Sequence, residues 1–261
     1  MELGLKGRRA LVTGSHRGTG AVIAQRLAEE GADVVVHGFE PDQAAAVADT
    51  IAGAAAVHGD LMSDAGADAV WAAANSDGPV SVLVNNYGRA GRGSFASDSS
   101  AWHEMYEENV LSAARLVRLA LPPMQAAGWG RIINLGTIGS TRPNARNPHY
   151  YAAKGALATM TVALAKDVAG CGITVNLVSP GIIQTPEVEA WLNERAAQKG
   201  WGSEWSEIES RAVAEEFPNP LGRLARREEV ADLVCFLASE RAAFIHGQNI
   251  RVDGGAVDFV S

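Results

Sequence analysis

Cysteine is scarce in this chain. Among its 261 residues only Cys171 and Cys235 carry a thiol, and neither stands in a C-x-x-C. A disulfide-stapled scaffold is excluded, and two buried free thiols in a reducing compartment are expected. Long apolar runs are also missing: none reaches the roughly 18 residues that a membrane span needs. The segment 1–9 has no apolar stretch of the signal-peptide kind. Basic charge is in deficit, with 22 Lys and Arg against 30 Asp and Glu and a net charge of −8. No basic stripe marks a nucleic-acid partner. The six histidines (His16, His37, His58, His103, His149, His246) form no H-E-x-x-H or similar spacing, so no metal is expected in the chemistry. A cytoplasmic protein without nucleic-acid or membrane partners is the expectation.

What is present is a long alternation of apolar strands and amphipathic helices. Hydrophobic residues make up 47% of the chain, enough for one large domain over 1–261 with a substantial core. Strands are expected at 9–13, 33–36, 55–58, 80–84, 131–135, 173–178 and 249–252. Helices are expected at 19–30, 42–52, 63–75, 99–127, 150–169 and 228–237. Pro122 and Pro123 should break or kink the fourth of these. Strands this apolar suit a parallel sheet covered on both faces. The fold class is therefore α/β: a single Rossmann-type, doubly wound parallel sheet of about seven strands with helices on both faces. The stretch 186–220 departs from the alternation. It is rich in charge yet holds Trp191, Trp201, Trp205 and Phe217. Lying after the sixth strand, it reads as a helical substrate lid. Its tryptophans either cover an apolar or ring-shaped substrate or glue lid helices to the body or a neighbouring subunit.

The run Thr13-Gly14-Ser15-His16-Arg17-Gly18-Thr19-Gly20 follows the first strand and opens the first helix. Gly14 permits a tight turn. Gly18 and Gly20 let a ligand approach backbone amides at a helix N-terminus, where the dipole favours phosphate. At the first strand-to-helix junction of this fold, such a loop points to a dinucleotide. The second strand ends in Gly38, where an NAD-preferring enzyme often carries an acid. Arg17 is placed to meet a 2′-phosphate, which favours NADP(H). Glu40, two residues on, keeps NAD(H) open.

Tyr150 and Lys154 stand four residues apart, so on a helix they share one face. A free tyrosine titrates near 10 and is a poor proton-transfer group at neutrality. A cation beside it should lower that value and let the phenol exchange a proton with a carbonyl or an alcohol. Alone, the pair also fits an exposed lysine and a half-buried tyrosine on an ordinary helix. Tyr151 has glycine four residues on and is given a packing role. His149 is expected in a solvated loop.

Taken together and in register, these residues resemble the short-chain dehydrogenase/reductase family, in its ketoacyl reductase-like branch. The likeness spans nearly the whole chain. The glycine loop matches T-G-x-x-x-G-x-G. Asp60 and Leu61 match the pair that contacts adenine. Asn85-Asn86-Tyr87-Gly88 matches Asn-Asn-Ala-Gly, with Tyr87 in place of the usual Ala. That phenol stacks near the cofactor, fills space toward the pocket or points away; the sequence leaves the three open. Asn109 stands at the family's helix-borne catalytic Asn. Pro180, Gly181, Ile183 and Thr185 match the segment that grips the nicotinamide, and 252–255 match a C-terminal Val-Asp-Gly-Gly signature. Thr137 replaces the family's catalytic Ser thirteen residues before Tyr150. It keeps a hydroxyl but adds bulk. Ser140 is three positions out of place to substitute for it.

The resemblance implies an oxidoreductase that interconverts a carbonyl and a secondary alcohol by hydride transfer. Tyr150 would be the general acid/base and Thr137 would orient the substrate oxygen. Lys154 would tune Tyr150 and hold ribose hydroxyls, and Asn109 would support a proton-relaying water. Cofactor contacts would come from Gly14, Ser15, His16, Arg17, Gly18, Gly20, Asp60, Leu61, Asn86, Tyr87, Gly88, Tyr150, Lys154, Pro180, Gly181, Ile183 and Thr185. An NAD-dependent dehydrogenase of a sugar, polyol or steroid-like alcohol is the alternative. A catalytically silent NADP(H)-binding sensor is a third reading. The resemblance further implies a homotetramer or dimer, with helices 99–127 and 150–169 matching the pair between subunits, although their Ala- and Leu-rich faces fit packing on the sheet equally.

Overall fold

The structure, a computed structural model, describes residues 2–258; residue 1 and residues 259–261 of the expected 1–261 domain lie outside the described residues. Among the described residues seven strands and nine α-helices follow in this order: β1 (Arg9–Val12), α1 (Gly18–Glu29), β2 (Asp33–Gly38), α2 (Pro41–Ala48), β3 (Ala55–His58), α3 (Asp64–Ala74), β4 (Val80–Asn85), α4 (Ser99–Tyr106), α5 (Ser112–Ala127), β5 (Gly130–Leu135), α6 (Pro148–Asp167), β6 (Ile173–Pro180), α7 (Pro186–Lys199), α8 (Trp205–Glu215), α9 (Arg227–Ala238) and β7 (Asn249–Val252). The seven strands form one sheet in the order β3-β2-β1-β4-β5-β6-β7, every pairing parallel. The expected doubly wound sheet is what forms.

Strand pleating divides the side chains between two cores. Ala10, Val12, Val34, Val36, Ile133 and Leu135 face α1 and α9. Their neighbours Leu11, Val35 and Ile132 face α3, α5 and α6. Because both faces are covered, the strands read as unbroken apolar runs. The chain order reverses between β1 and β4, which opens a crevice at the carboxyl ends of these strands. Of the two free thiols, Cys235 is buried and Cys171 half-buried. No helix among the described residues is long and apolar enough to cross a membrane.

The long helix does not break where proline predicts. α5 runs through Pro122 and Pro123 without interruption. Both prolines are exposed, so the carbonyls that lose an N–H partner there can be hydrated. The irregularity lies earlier, as a π turn at Glu107–Leu111 between α4 and α5.

α7 and α8 form a hairpin with a core of its own, built on Leu192, Ala196, Trp201, Ile208, Ala212 and Val213. Trp201 donates from its indole to Glu215 at 3.1 Å, and the Lys199 ammonium lies 4.7 Å over its ring. Glu216 binds Arg195 and, at 2.8 Å, Lys199. Trp201 and Trp205 both pack in this hairpin core. Trp191 meets Phe217 edge-on at 5.9 Å, and Phe217 lines a cavity of about 660 Å³. The wall of this cavity includes Ile138 and Gly181, the residues after Thr137 and Pro180.

Candidate active site

The glycine loop is anchored from below by Thr13. Its hydroxyl accepts hydrogen bonds from the backbone N–H groups of Asn86 (3.0 Å) and Tyr87 (2.9 Å). Asn86 Nδ2 donates back to the Thr13 carbonyl at 2.8 Å. Gly14 and Gly18 adopt φ of 61° and 58°, the left-handed region that favours glycine. A Cβ on Gly20 would stand 2.5 Å from Asn86 Nδ2, so the close approach of loop and β4 requires glycine. Ser15 is fully buried and donates to the Val12 carbonyl at 2.6 Å. Its hydroxyl is therefore engaged inside the loop. His16 is held below its ordinary pKa, first by burial and then by the Arg17 charge.

No side chain caps α1, and no acid lies in its first turn. Its leading amides are left for an anion, and the bare Gly18 has open space beside it. These residues fit the pyrophosphate of a dinucleotide. Arg17, at the N-cap, is exposed and pairs with Glu187 of α7 at 3.3 Å. Glu40 is the N-cap of α2, and its backbone N–H donates to Gln43 Oε1 at 3.3 Å; its own carboxylate makes no cap hydrogen bond.

At the far end of the crevice, Asp60 Oδ1 accepts from the Met62 N–H at 2.8 Å, and Leu61 is fully buried. Tyr87 does not point away. Its hydroxyl lies 3.8 Å from the Met62 sulfur, and its ring stands 4.8 Å from that of Phe39. Burial pushes its pKa up to about 12. Phe39, His37 and Glu187 border the crevice although nothing in the sequence singled them out.

Two of the polar groups, Asn109 and Lys154, meet beside Gly88. α6 begins at Asn147, whose φ of 55° makes it the single non-glycine residue in the left-handed region among the described residues. Asn147 exchanges two hydrogen bonds with Gly93: Gly93 N–H to Asn147 Oδ1 at 3.2 Å, and Asn147 N–H to the Gly93 carbonyl at 3.3 Å. From this start, one turn of helix brings Tyr150 and Lys154 onto one face. Lys154 is 3% exposed, and its ammonium donates to the Leu135 carbonyl at 2.8 Å. Burial lowers its pKa to about 8. A Cβ on Gly88 would stand 2.5 Å from Asn109 Oδ1 and 3.1 Å from Lys154 Nζ. The missing side chain lets these two groups converge. The π turn carries Asn109 inward. Its Nδ2 donates to the carbonyls of Met105 (3.0 Å) and Arg89 (3.2 Å), and its Oδ1 is buried without a partner.

The expected lowering of the Tyr150 pKa by Lys154 is not what this structure has. Burial pushes the phenol up, Tyr151 adds to this, and the Thr137 hydroxyl draws it partly back. Thr137 caps the short turn Ile138–Ser140 and accepts from the Gly139 N–H at 3.2 Å. Ser140 donates to the Thr137 carbonyl at 2.7 Å, so it supports Thr137 rather than replacing it. Tyr151 packs its ring on Gly139 and accepts from Asn144 Nδ2 at 3.1 Å, in keeping with a packing role. His149 is not in a solvated loop. It is buried in the first turn of α6, accepts from the Tyr150 N–H at 2.8 Å and meets Trp102 edge-on at 5.9 Å. Its ring has room because Gly93 has no side chain.

On the other wall, Pro180 ends β6 and Gly181 N–H donates to the Val252 carbonyl at 3.0 Å. Ile183 bridges to Ala225, and Thr185 caps α7 by accepting from the Val188 N–H at 3.3 Å. Asp253 accepts from the N–H groups of Gly255 (3.1 Å) and Val257 (3.0 Å), which closes the C-terminal turn against β6.

A family profile described as enoyl-(acyl carrier protein) reductase matches residues 14–257. The 3-oxoacyl-[acyl-carrier-protein] reductase FabG of Aquifex aeolicus is 35% identical over 263 aligned residues, covering 98% of this chain and 99% of its own. An uncharacterized oxidoreductase of Bacillus subtilis, YvrD, is 34% identical with the same coverage. L-sorbose reductase from Gluconobacter frateurii, solved with NADPH and L-sorbose, superposes with a TM-score of 0.92 at 32% identity over the full length of both chains. A 3-oxoacyl (acyl-carrier-protein) reductase from Agrobacterium tumefaciens with NADP bound gives 0.86 at 34% identity over 97% of this chain and 96% of its own. With its parallel sheet, its glycine loop and its Tyr150–Lys154 helix, the chain belongs to the short-chain dehydrogenase/reductase family.

Proposed function

We propose that the protein is an NADP(H)-dependent oxidoreductase that interconverts a carbonyl and a secondary alcohol, with Tyr150 as its general acid/base. One observation carries the reading: Asn109 and Lys154 converge beside Gly88 while Tyr150, on the same helix as Lys154, bonds Thr137, and an uncapped, glycine-lined helix start opens the first crossover. When bound, the nicotinamide cofactor supplies or accepts the hydride. In the reducing direction Tyr150 gives its proton to the substrate oxygen, and Thr137 donates a hydrogen bond that orients that oxygen. Asn109 Oδ1, buried and unpartnered, holds a water that returns a proton toward Lys154.

The amides of Gly18 and Gly20 take the pyrophosphate, within a loop whose turn Gly14, Ser15 and His16 shape. Arg17 takes the 2′-phosphate. Asp60 and Leu61 receive the adenine. Asn86, Tyr87, Gly88, Tyr150 and Lys154 line the ribose side. Pro180, Gly181, Ile183 and Thr185 hold the nicotinamide. The NADPH and NADP found with two solved relatives support NADP(H) over NAD(H). We read 1–261 as one domain with 186–220 as its substrate lid. The working form is a cytoplasmic homotetramer or dimer; exposed Tyr106 on α4 and Val162 on α6 suit such an interface, and light scattering measures its stoichiometry.

The test is Tyr150→Phe, assayed with NADPH and a panel of ketones. Turnover should fall by about 100- to 10,000-fold while the dissociation constant for NADPH stays the same. A variant as fast as the parent enzyme removes Tyr150 from the chemistry.

A further inference from the structure

The His37 side chain sits at the end of β2 with none of its surface exposed. Its backbone and both ring nitrogens are in use. The Gly14 N–H donates to Nδ1 at 3.0 Å. Since Nδ1 accepts, the proton is on Nε2, which donates to the Gly59 carbonyl at 3.1 Å. The His37 N–H donates to Ser15 Oγ at 3.0 Å, and the His37 carbonyl accepts from the His16 N–H at 3.2 Å. One residue therefore touches three consecutive positions of the glycine loop. The same ring reaches Gly59, the residue before Asp60. Burial lowers its pKa to about 4, so the imidazole is neutral at ordinary pH and keeps one acceptor and one donor.

We propose that His37 is a positioning residue that sets the glycine loop against the Asp60 segment and so fixes the span of the dinucleotide crevice. The inference rests on the cofactor reading above. The loop gets no side-chain cap at the start of α1, and Gly14, which must hold a left-handed turn, has no side chain to hold it in place. Its amide would otherwise be free to rotate toward solvent. The imidazole bridges both halves of the crevice in a single rigid ring. An aliphatic residue would fill the space but leave the Gly14 N–H and the Gly59 carbonyl without partners, and the loop would have to reorganise to hydrate them. A glutamine, with one acceptor and two donors on a planar amide, could serve both.

The experiment compares the parent protein, His37→Leu and His37→Gln. Dissociation constants for NADPH come from fluorescence titration, melting temperatures from circular dichroism, and the ring tautomer of the parent from nitrogen-15 NMR. His37→Leu should weaken NADPH binding by about 10- to 100-fold. The KM for a ketone, measured at saturating NADPH, should stay within about twofold. His37→Gln should recover most of the binding. The NMR spectrum should show the proton on Nε2. A His37→Leu protein that melts lower but binds NADPH as tightly as the parent would show a merely structural histidine and overturn the proposal. If that variant does not fold, the tautomer and His37→Gln decide: a proton on Nδ1, or glutamine binding no better than chance contact, overturns it. Failure of the parent itself to bind NADPH or NADH would instead remove the cofactor reading, and this role with it.

Discussion

Lys154 should weaken the fold it serves. It is buried, and among the described residues its ammonium donates to one acceptor, the Leu135 carbonyl, and is bonded to no carboxylate. Burial takes its pKa from 10.5 to about 8. Keeping the amine charged in the folded state at pH 7 therefore works against folding by about 3 kcal/mol. Lys154→Met removes that charge at similar volume. It also strips the Leu135 carbonyl of its donor, which costs about 1–2 kcal/mol. The net gain is about 1–2 kcal/mol, or a melting temperature higher by about 2–6 °C for a chain of this size. The pH dependence identifies the cause. Between pH 8 and 10.5 the unfolded parent chain holds a proton that the folded one has lost, so parent stability rises with pH across that window. The variant has no such amine and does not gain there. Its advantage should be complete below pH 8, vanish between about pH 9 and 10, and turn into a deficit of about 1–2 kcal/mol by pH 10.5. Thermal melts of both proteins at pH 7 and pH 10.5, at one protein concentration, measure this, and ketone reduction should be lost throughout. A variant less stable than the parent at pH 7, or equally favoured at both pH values, refutes the reasoning.

Two further changes separate binding from stability. Arg17→Ala should weaken NADPH binding by about 10- to 100-fold with NADH nearly unchanged. Stability should move by less than about 0.5 kcal/mol, because the ion pair to Glu187 is exposed; equal losses for both cofactors would take the 2′-phosphate away from Arg17. Trp201→Ala should destabilise the α7–α8 hairpin by about 3–5 kcal/mol, since the ring is 6% exposed within that core. Hydrogen exchange confined to 186–220 reads this out, and a raised KM without local loosening would instead put Trp201 on the substrate.

Strand positions were legible because each strand carries its own apolar run, and β7 falls on the residues expected. The glycine loop and the Tyr150–Lys154 pair were legible because their spacing is local. What escaped depended on partners far along the chain. His149 is buried because Gly93, 56 positions earlier, has no side chain to exclude it. Arg17 meets Glu187 across 170 positions, and no pattern within either segment announces the other. The rise of the Tyr150 pKa was not legible for a related reason: adjacency on a helix face was visible, but the burial that pushes the phenol up was not. Proline at 122 and 123 signalled a break that solvent exposure made unnecessary.

The π turn at Glu107–Leu111 amounts to one residue too many for the helix that contains it. Each residue of an α-helix advances the next by about 100°. With the surplus in place, Asn109 faces Gly88 while α5 downstream still presents Leu116, Ala120 and Met124 to the sheet. A deletion of one residue here would let the backbone relax into ordinary helix, but only one of these two facings could then survive. Sequence length in this segment is thus under tighter constraint than sequence identity. Homologous chains should tolerate many substitutions across it and almost no change in count.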